Sequence, residues 1–245
     1  MKCFSDVHAK VGLSKQDIKP FPFVSEVTAT LVKRFGRPSL GNKRNPFNEL
    51  LYIILSSKTP PERYPRAYRE LRRAYPCAAS LAYADPQDVV KVIQFAGLGD
   101  KKASQIVQTA NQLKQLFGRV TLSPLRRMTN EAAEEILTSL PGIGIKSARC
   151  ILLYSLDRQV FPADNHCLRI ARRLGWVESA TFTKGTANLL QSGVPPTLRR
   201  DLHVGMVLLG RKYCVPKDPR CGNCPILESC PTGLNVTGAS KTPTR

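Results

Sequence analysis

Between one proline or glycine and the next, almost every stretch of this chain places apolar residues at i, i+3 and i+4. Nowhere do apolar and polar residues alternate for the length of a useful strand. That pattern predicts helices near residues 46–57, 63–75, 86–95, 101–117, 130–139, 146–156, 165–175 and 197–212. The breaks fall at Pro60 and Pro61, Pro76, Pro86, Gly97 and Gly99, Pro124, Pro141, Pro162, and Pro195 and Pro196. The expected fold class is all-α with short connections. With 245 residues the chain can bury a real core and form one or two domains. Residues 1–20 and the tail PTGLNVTGASKTPTR are polar and aperiodic, and are expected to be poorly ordered.

Charge narrows the choice of partner. There are 37 Lys and Arg against 18 Asp and Glu, a net +19, and such an excess favours polyanions, above all nucleic acid. A ribosome-associated or anionic-membrane protein is the competing reading. No run of about 18 apolar residues exists, so no transmembrane helix and no membrane partner are expected. The opening MKCFSDVHAK lacks an apolar core of the kind a secretion signal needs, so an intracellular, reducing compartment is expected. That means the cytoplasm and nucleoid in a prokaryote, or the nucleus or an organelle in a eukaryote.

Residues 140–148 read LPGIGIKSA, between an acidic, amphipathic NEAAEEILTSL and a second helical stretch. This is a helix–hairpin–helix unit. Gly142 and Gly144 let the backbone turn sharply, leaving amides free to grip a phosphate. A plain corner between two helices would use glycine equally well. FAGLGDKKASQIV at 95–107 echoes the Gly-x-Gly-x-Lys-x-Ala spacing 45 residues earlier, as a repeated unit or as two ordinary junctions. Lys146 stands at a helix start, among positive charges, so a lowered pKa is expected, freeing an uncharged amine able to attack carbon. Pairing with phosphate is the simpler alternative.

A nucleophilic amine needs a carboxylate nearby, and between residues 146 and 177 only Asp157 and Asp164 occur. Asp164, in VFPADNHCLRIARRLGW, precedes an amphipathic helix and so suits an N-cap. It also suits a carboxylate that stabilises positive charge on a sugar as a glycosidic bond breaks.

Four of the eight cysteines, Cys214, Cys221, Cys224 and Cys230, are spaced C-x6-C-x2-C-x5-C. Thiols this close point to a metal, either structural zinc or a [4Fe–4S] cluster. Lys217 and Arg220 lie in the first loop, which would present positive charge to phosphate. Cys3, Cys77, Cys150 and Cys167 read as ordinary thiols, mostly buried.

Taken together, LPGIGIKSA, ADNH with its aspartate 18 residues beyond the lysine, and the cysteine spacing resemble the endonuclease III branch of the helix–hairpin–helix DNA glycosylases. The resemblance runs from about residue 45 to 231. It implies two helical domains with a DNA-binding cleft between them: a six-helix domain at 39–158, and residues 1–38 plus 159–245 carrying a [4Fe–4S] cluster. It implies Lys146 as the nucleophile at the sugar C1′, Asp164 as the catalytic carboxylate and the four cysteines as cluster ligands. Leu98 matches a residue inserted into the base stack, and His166 a DNA-contacting position. No nucleophile is implied at Lys101 or Lys102.

The activity implied is that of a bifunctional glycosylase and abasic-site lyase of base excision repair, probing double-stranded DNA as a monomer. Oxidised pyrimidine is the default substrate. The chain departs from the family at LSSKTPP, where Lys58 replaces a glutamine and Pro60–Pro61 an acidic residue, and at Asn165, where threonine is usual. FPADNHCLRIARRLGWV is also similar to the plant 5-methylcytosine glycosylases, so modified cytosine or mismatched thymine is the alternative substrate. A DNA-binding module without catalysis, and a monofunctional glycosylase that activates water, are the other readings. The presence of both Lys146 and Asp164 argues against the first, and Lys146 against the second.

Overall fold

The computed structural model describes residues 19–239, and among them every regular element is helical. Local chemistry sets the starts. Asn45 accepts hydrogen bonds from the amides of Phe47 and Asn48 and opens α2 (Pro46–Ser56), with Pro46 as its first residue. Thr129 does the same through Ala132 for α6 (Asn130–Ser139), and Asp85 through Gln87 for α4 (Pro86–Ile93). Between them run α3 (Tyr64–Ala74) and α5 (Gly99–Phe117). The remaining helices are α1 (Val24–Phe35), α7 (Ile145–Ser155), α8 (Asn165–Arg173), α9 (Lys184–Gly193), α10 (Arg199–Lys212) and α11 (Pro231–Thr237).

These helices close two hydrophobic cores. The first gathers α2 to α7, from Phe47 to Val160, around Leu50, Leu55, Leu71, Ile106 and Leu137, all sealed from solvent. The second joins α1 to α8, α9 and α10 around Leu31, Phe161, Leu168, Leu190 and Met206. Packing of α1 on α10 is close: a Cβ on Gly205 would stand 2.7 Å from Leu31 Cβ. Arg149 of α7, itself buried, crosses between the two groups of helices. It bonds Glu134 on α6 at 2.7 Å and the Ala187 carbonyl on α9 at 3.0 Å.

All eight helices expected from periodicity are present, within a few residues of their predicted ends. Helices α1 and α9 were not anticipated. The first is rich in β-branched residues, and the second owes its start to a capping box in which Thr183 and Thr186 bond each other's backbone amides. The tail expectation is corrected from residue 231 onward, where α11 forms. Pro231 fills its first position, the Gly233 amide donates to Cys230 Sγ at 3.4 Å, and Thr232 Oγ1 bonds the Arg173 carbonyl at 2.9 Å. Most of the expected disordered N-terminus, Cys3 included, lies outside the described residues, as do residues 240–245.

Candidate active site

Helix α6 ends at Ser139, and the hairpin Leu140–Gly144 carries the chain into α7. Buried Ile143 anchors the turn, its amide bonded to the Leu140 carbonyl at 3.1 Å. Gly142 has φ 77, a conformation that disfavours any side chain, and a Cβ there would also displace the end of Gln105, whose Nε2 would lie 2.3 Å away. The reading of Gly144 needs correction: its φ of −94 and ψ of 175 are extended backbone open to any residue. What Gly144 contributes is bareness. As the N-cap of α7 it has no side-chain hydrogen bond, and no atom lies within 4 Å of where a Cβ would be. The first-turn amides of α7 are therefore uncovered.

A groove of about 470 Å³ opens beside this hairpin. It brings together Lys58, Leu98, Gly142 and Lys146, and adds Lys101, Lys102 and Gln105. Lys58 and Leu98 face it in the left-handed conformation, φ 49 and 62, a choice that costs a non-glycine residue about 1 kcal/mol. Leu98 is 52% exposed, a large apolar side chain held out at the rim. The echo between residues 95–107 and 140–152 does not extend to the backbone, because Leu98 is left-handed in one unit and Gly142, one position earlier, in the other.

Lys146 lies one helical turn before Cys150 on α7. Its amine is held above the ordinary lysine value, chiefly by the Cys150 sulfur and also by Asp164, against the burial that would lower it. The expected lowering is thus overturned: the nearby sulfur and carboxylate outweigh desolvation. Burial in turn pushes the Cys150 thiol up to about 11.

Asp164 precedes α8 and caps it, its Oδ1 accepting from the Cys167 amide at 2.8 Å. Burial would raise its carboxyl, but the His203 ring, that amide bond and the His166 ring hold it below the usual value. Burial also drives His203 down to about 4, so near neutral pH the ring is uncharged and the amide bond is what persists. Tyr154 on α7 hydrogen-bonds His203 Nδ1. Donor atoms of Asp164, Cys167 and His203 lie within 4.8 Å of one another. His166 is half-buried against α10, where a Cβ on Gly210 would stand 2.4 Å from its Nδ1, and Arg169 bonds that nitrogen at 3.0 Å.

The four cysteines face one cavity between α8, α10 and α11, walled by Ile170, Leu174, Leu209, Ile226 and Leu227. Arg173 donates to Cys214 Sγ at 3.1 Å and the Gly233 amide to Cys230 Sγ. Burial pushes the Cys224 thiol up to about 11. Four thiols facing one apolar pocket can hold a polynuclear cluster or a single tetrahedral ion. Lys217 and Arg220 are exposed on the loop before Cys221. Both stand apart from the groove.

The chain matches the family of HhH-GPD superfamily base excision DNA repair proteins over residues 51–196. It is 31% identical to endonuclease III of Thermotoga maritima over 84% of its own length and 92% of that protein. It belongs to the HhH-GPD superfamily. The chain is thus an endonuclease III-like DNA glycosylase, a base excision repair enzyme. A thymine-DNA glycosylase of Aeropyrum pernix is 28% identical over 77% of the chain and 83% of that protein. In fold, the chain resembles a solved endonuclease III in a non-covalent DNA complex, with a TM-score of 0.74 at 21% identity, covering 88% of this chain and 97% of that one. Among the described residues no helix is long and apolar enough to cross a membrane.

Sequence reasoning missed the residues that surround Lys146 and Asp164. Cys150 at i+4 and Cys167 at i+3 were readable from helical spacing. Glu49, sealed from solvent and bonded by the Lys43 amide at 2.6 Å, carried no such signal, nor did Tyr154 and His203.

Proposed function

We propose that the enzyme is a bifunctional DNA glycosylase and abasic-site lyase that removes a damaged pyrimidine through a lysine Schiff base. The observation that carries this is that Lys146 lines the groove and lies near enough to Asp164, the N-cap of α8, for that carboxylate to hold its amine up. A DNA-binding module would need neither, and a water-activating glycosylase would not need the lysine.

Duplex DNA lies along the groove, the uncapped N-terminus of α7 and the hairpin amides gripping a backbone phosphate. Leu98 enters the stack and the target nucleotide turns outward, since its glycosidic bond is unreachable inside the helix. Once Lys146 has given up its proton, Nζ attacks C1′ and the base departs with the bonding pair, taking a proton as it leaves. Asp164, ionised, stabilises the positive charge that builds on the sugar. The ring then opens to a Schiff base. Loss of a C2′ proton expels the 3′ phosphate and nicks the strand.

The cysteine cavity fits a [4Fe–4S] cluster held by Cys214, Cys221, Cys224 and Cys230, which ties α10 to α11. When bound, it fixes the loop bearing Lys217 and Arg220, leaving these charges to meet phosphate. Oxidised pyrimidine is the primary substrate. Mismatched thymine or a modified cytosine is the second reading, favoured by Lys58, a pure donor facing the groove, and by the likeness to a thymine-DNA glycosylase.

Borohydride trapping tests the reading on two duplexes, one with an abasic site and one with thymine glycol. A covalent adduct is expected on both with wild type and on neither with Lys146→Ala. Trapping on the abasic site alone moves the substrate to mismatched or modified bases. Binding without any adduct removes the nucleophile.

A further inference from the structure

Lys102 is buried, 2% exposed, and the chemistry above does not use it. Its Nζ donates to the Leu55 carbonyl at 2.9 Å and to Thr59 Oγ1. Leu55 is in the last turn of α2, whose free carbonyls welcome a cation. Thr59 closes the loop that holds Lys58, its amide bonded to the Ser56 carbonyl at 3.2 Å and its hydroxyl to the Ser57 carbonyl at 3.2 Å. The backbone of Lys102 has a second grip: its amide donates to the Leu98 carbonyl at 3.0 Å, closing the first turn of α5. The loop and the turn also touch, since a Cβ on Gly97 would meet the Lys58 carbonyl at 3.6 Å. One residue thus binds both segments in which a non-glycine residue lines the groove in the left-handed conformation.

We infer that Lys102 is a positioning residue whose buried ammonium locks the Lys58 loop and the Leu98 turn into one rigid rim, so that both side chains enter the duplex as a unit. The inference rests on the reading of this groove as the DNA interface. Without the ammonium, the Leu55 carbonyl and Thr59 lose their shared partner, and Lys58 is free to leave its strained conformation while Leu98 keeps its place in α5. Lys146 and Asp164 are held by other elements and stay where they are.

The test uses a duplex with a tetrahydrofuran abasic analogue opposite 2-aminopurine, whose fluorescence reports how the orphaned base is stacked. Wild type should change that fluorescence on binding. Lys102→Met, binding by anisotropy, should lose most of the change, and should lose base excision by on the order of tenfold or more relative to abasic-site trapping. Lys102→Arg, which restores charge and donors, should recover both. Lys58→Ala should reproduce the Lys102→Met signal, and the double variant should add nothing. A Lys102→Met protein with the wild-type signal and ratio overturns the inference. So does one whose excision and trapping fall together with its melting temperature, for that is a general loss of folding. If wild type binds without altering the fluorescence, it is the groove as DNA interface that fails instead.

Discussion

Asp164 accepts a 2.8 Å hydrogen bond from the Cys167 amide, so the carboxylate proposed to face the sugar is also the N-cap of α8. The two roles separate by substitution, because asparagine caps as well as aspartate but carries no charge. Asp164→Asn should keep its melting temperature and lose trapping by on the order of 10²–10⁴-fold. Asp164→Ala should lose activity equally and also about 1 kcal/mol of stability. An active Asp164→Asn protein would leave this residue as a cap alone.

Lys146 is held above the ordinary lysine value, with the Cys150 sulfur as the largest cause. The free enzyme therefore carries an ammonium at neutral pH, and Schiff-base formation should speed up as pH rises. Replacing Cys150 with alanine removes the main raising influence, so the rising limb should move to lower pH. The measurement is the single-turnover rate of borohydride trapping against pH in both proteins. A limb that does not move, or moves upward, contradicts this account of the lysine's charge.

Much of this was legible from spacing. The helices of the first core are amphipathic and punctuated by Pro61, Pro86 and Pro141, so period and breaks agreed. Lys146 and Asp164 stood out as candidates, the lysine by its place at a helix start and the aspartate because acidic residues are scarce after the hairpin. What could not be read was anything decided by packing between distant segments. The charge of Lys146 depends on a sulfur one turn away and on a carboxylate from another helix, whereas its position at a helix start argued the other way. At Lys102 the sequence implied only that no nucleophile stands there. Only folding α5 onto the end of α2 makes it the sealed partner of Leu55 and Thr59.

Arg149 makes a different kind of prediction. Its side chain is 3% exposed and that of Glu134 20%, and it also bonds Asn188 and the Ala187 carbonyl. Arg149→Met should cost about 3–5 kcal/mol by leaving these partners unpaired. Denaturant unfolding at neutral pH measures it, and a loss below about 1 kcal/mol would show that the groups rehydrate freely.

His203 links stability to pH. Burial puts its folded pKa at about 4 against an ordinary 6.5, so the unfolded chain takes up the proton first. Its contribution is full above 6.5 and is lost as pH falls toward 4, about 2 kcal/mol by pH 5. Glu49, pushed up by burial, works in the opposite sense in the acid range, so the comparison is between wild type and His203→Gln. The stability lost between pH 7 and pH 5 should be smaller in the variant by about that amount. Equal losses in the two proteins would mean that His203 is protonated in the fold.

The cysteine cavity predicts its own occupant. Four cysteines facing one apolar cavity should bring about four irons per chain and a yellow-brown protein. One zinc per chain and no colour would replace the cluster with a structural site. Because the loop from Cys214 to Cys230 has few apolar anchors of its own, holding chiefly through Ile226, Cys224→Ser should free it. Trypsin should then cut at the exposed Lys217 and Arg220 far faster than in wild type, while the first core, built from Phe47 to Val160, resists. If cleavage at these two residues is as slow in the variant as in wild type, the loop is held by its protein contacts and the metal is not what orders it.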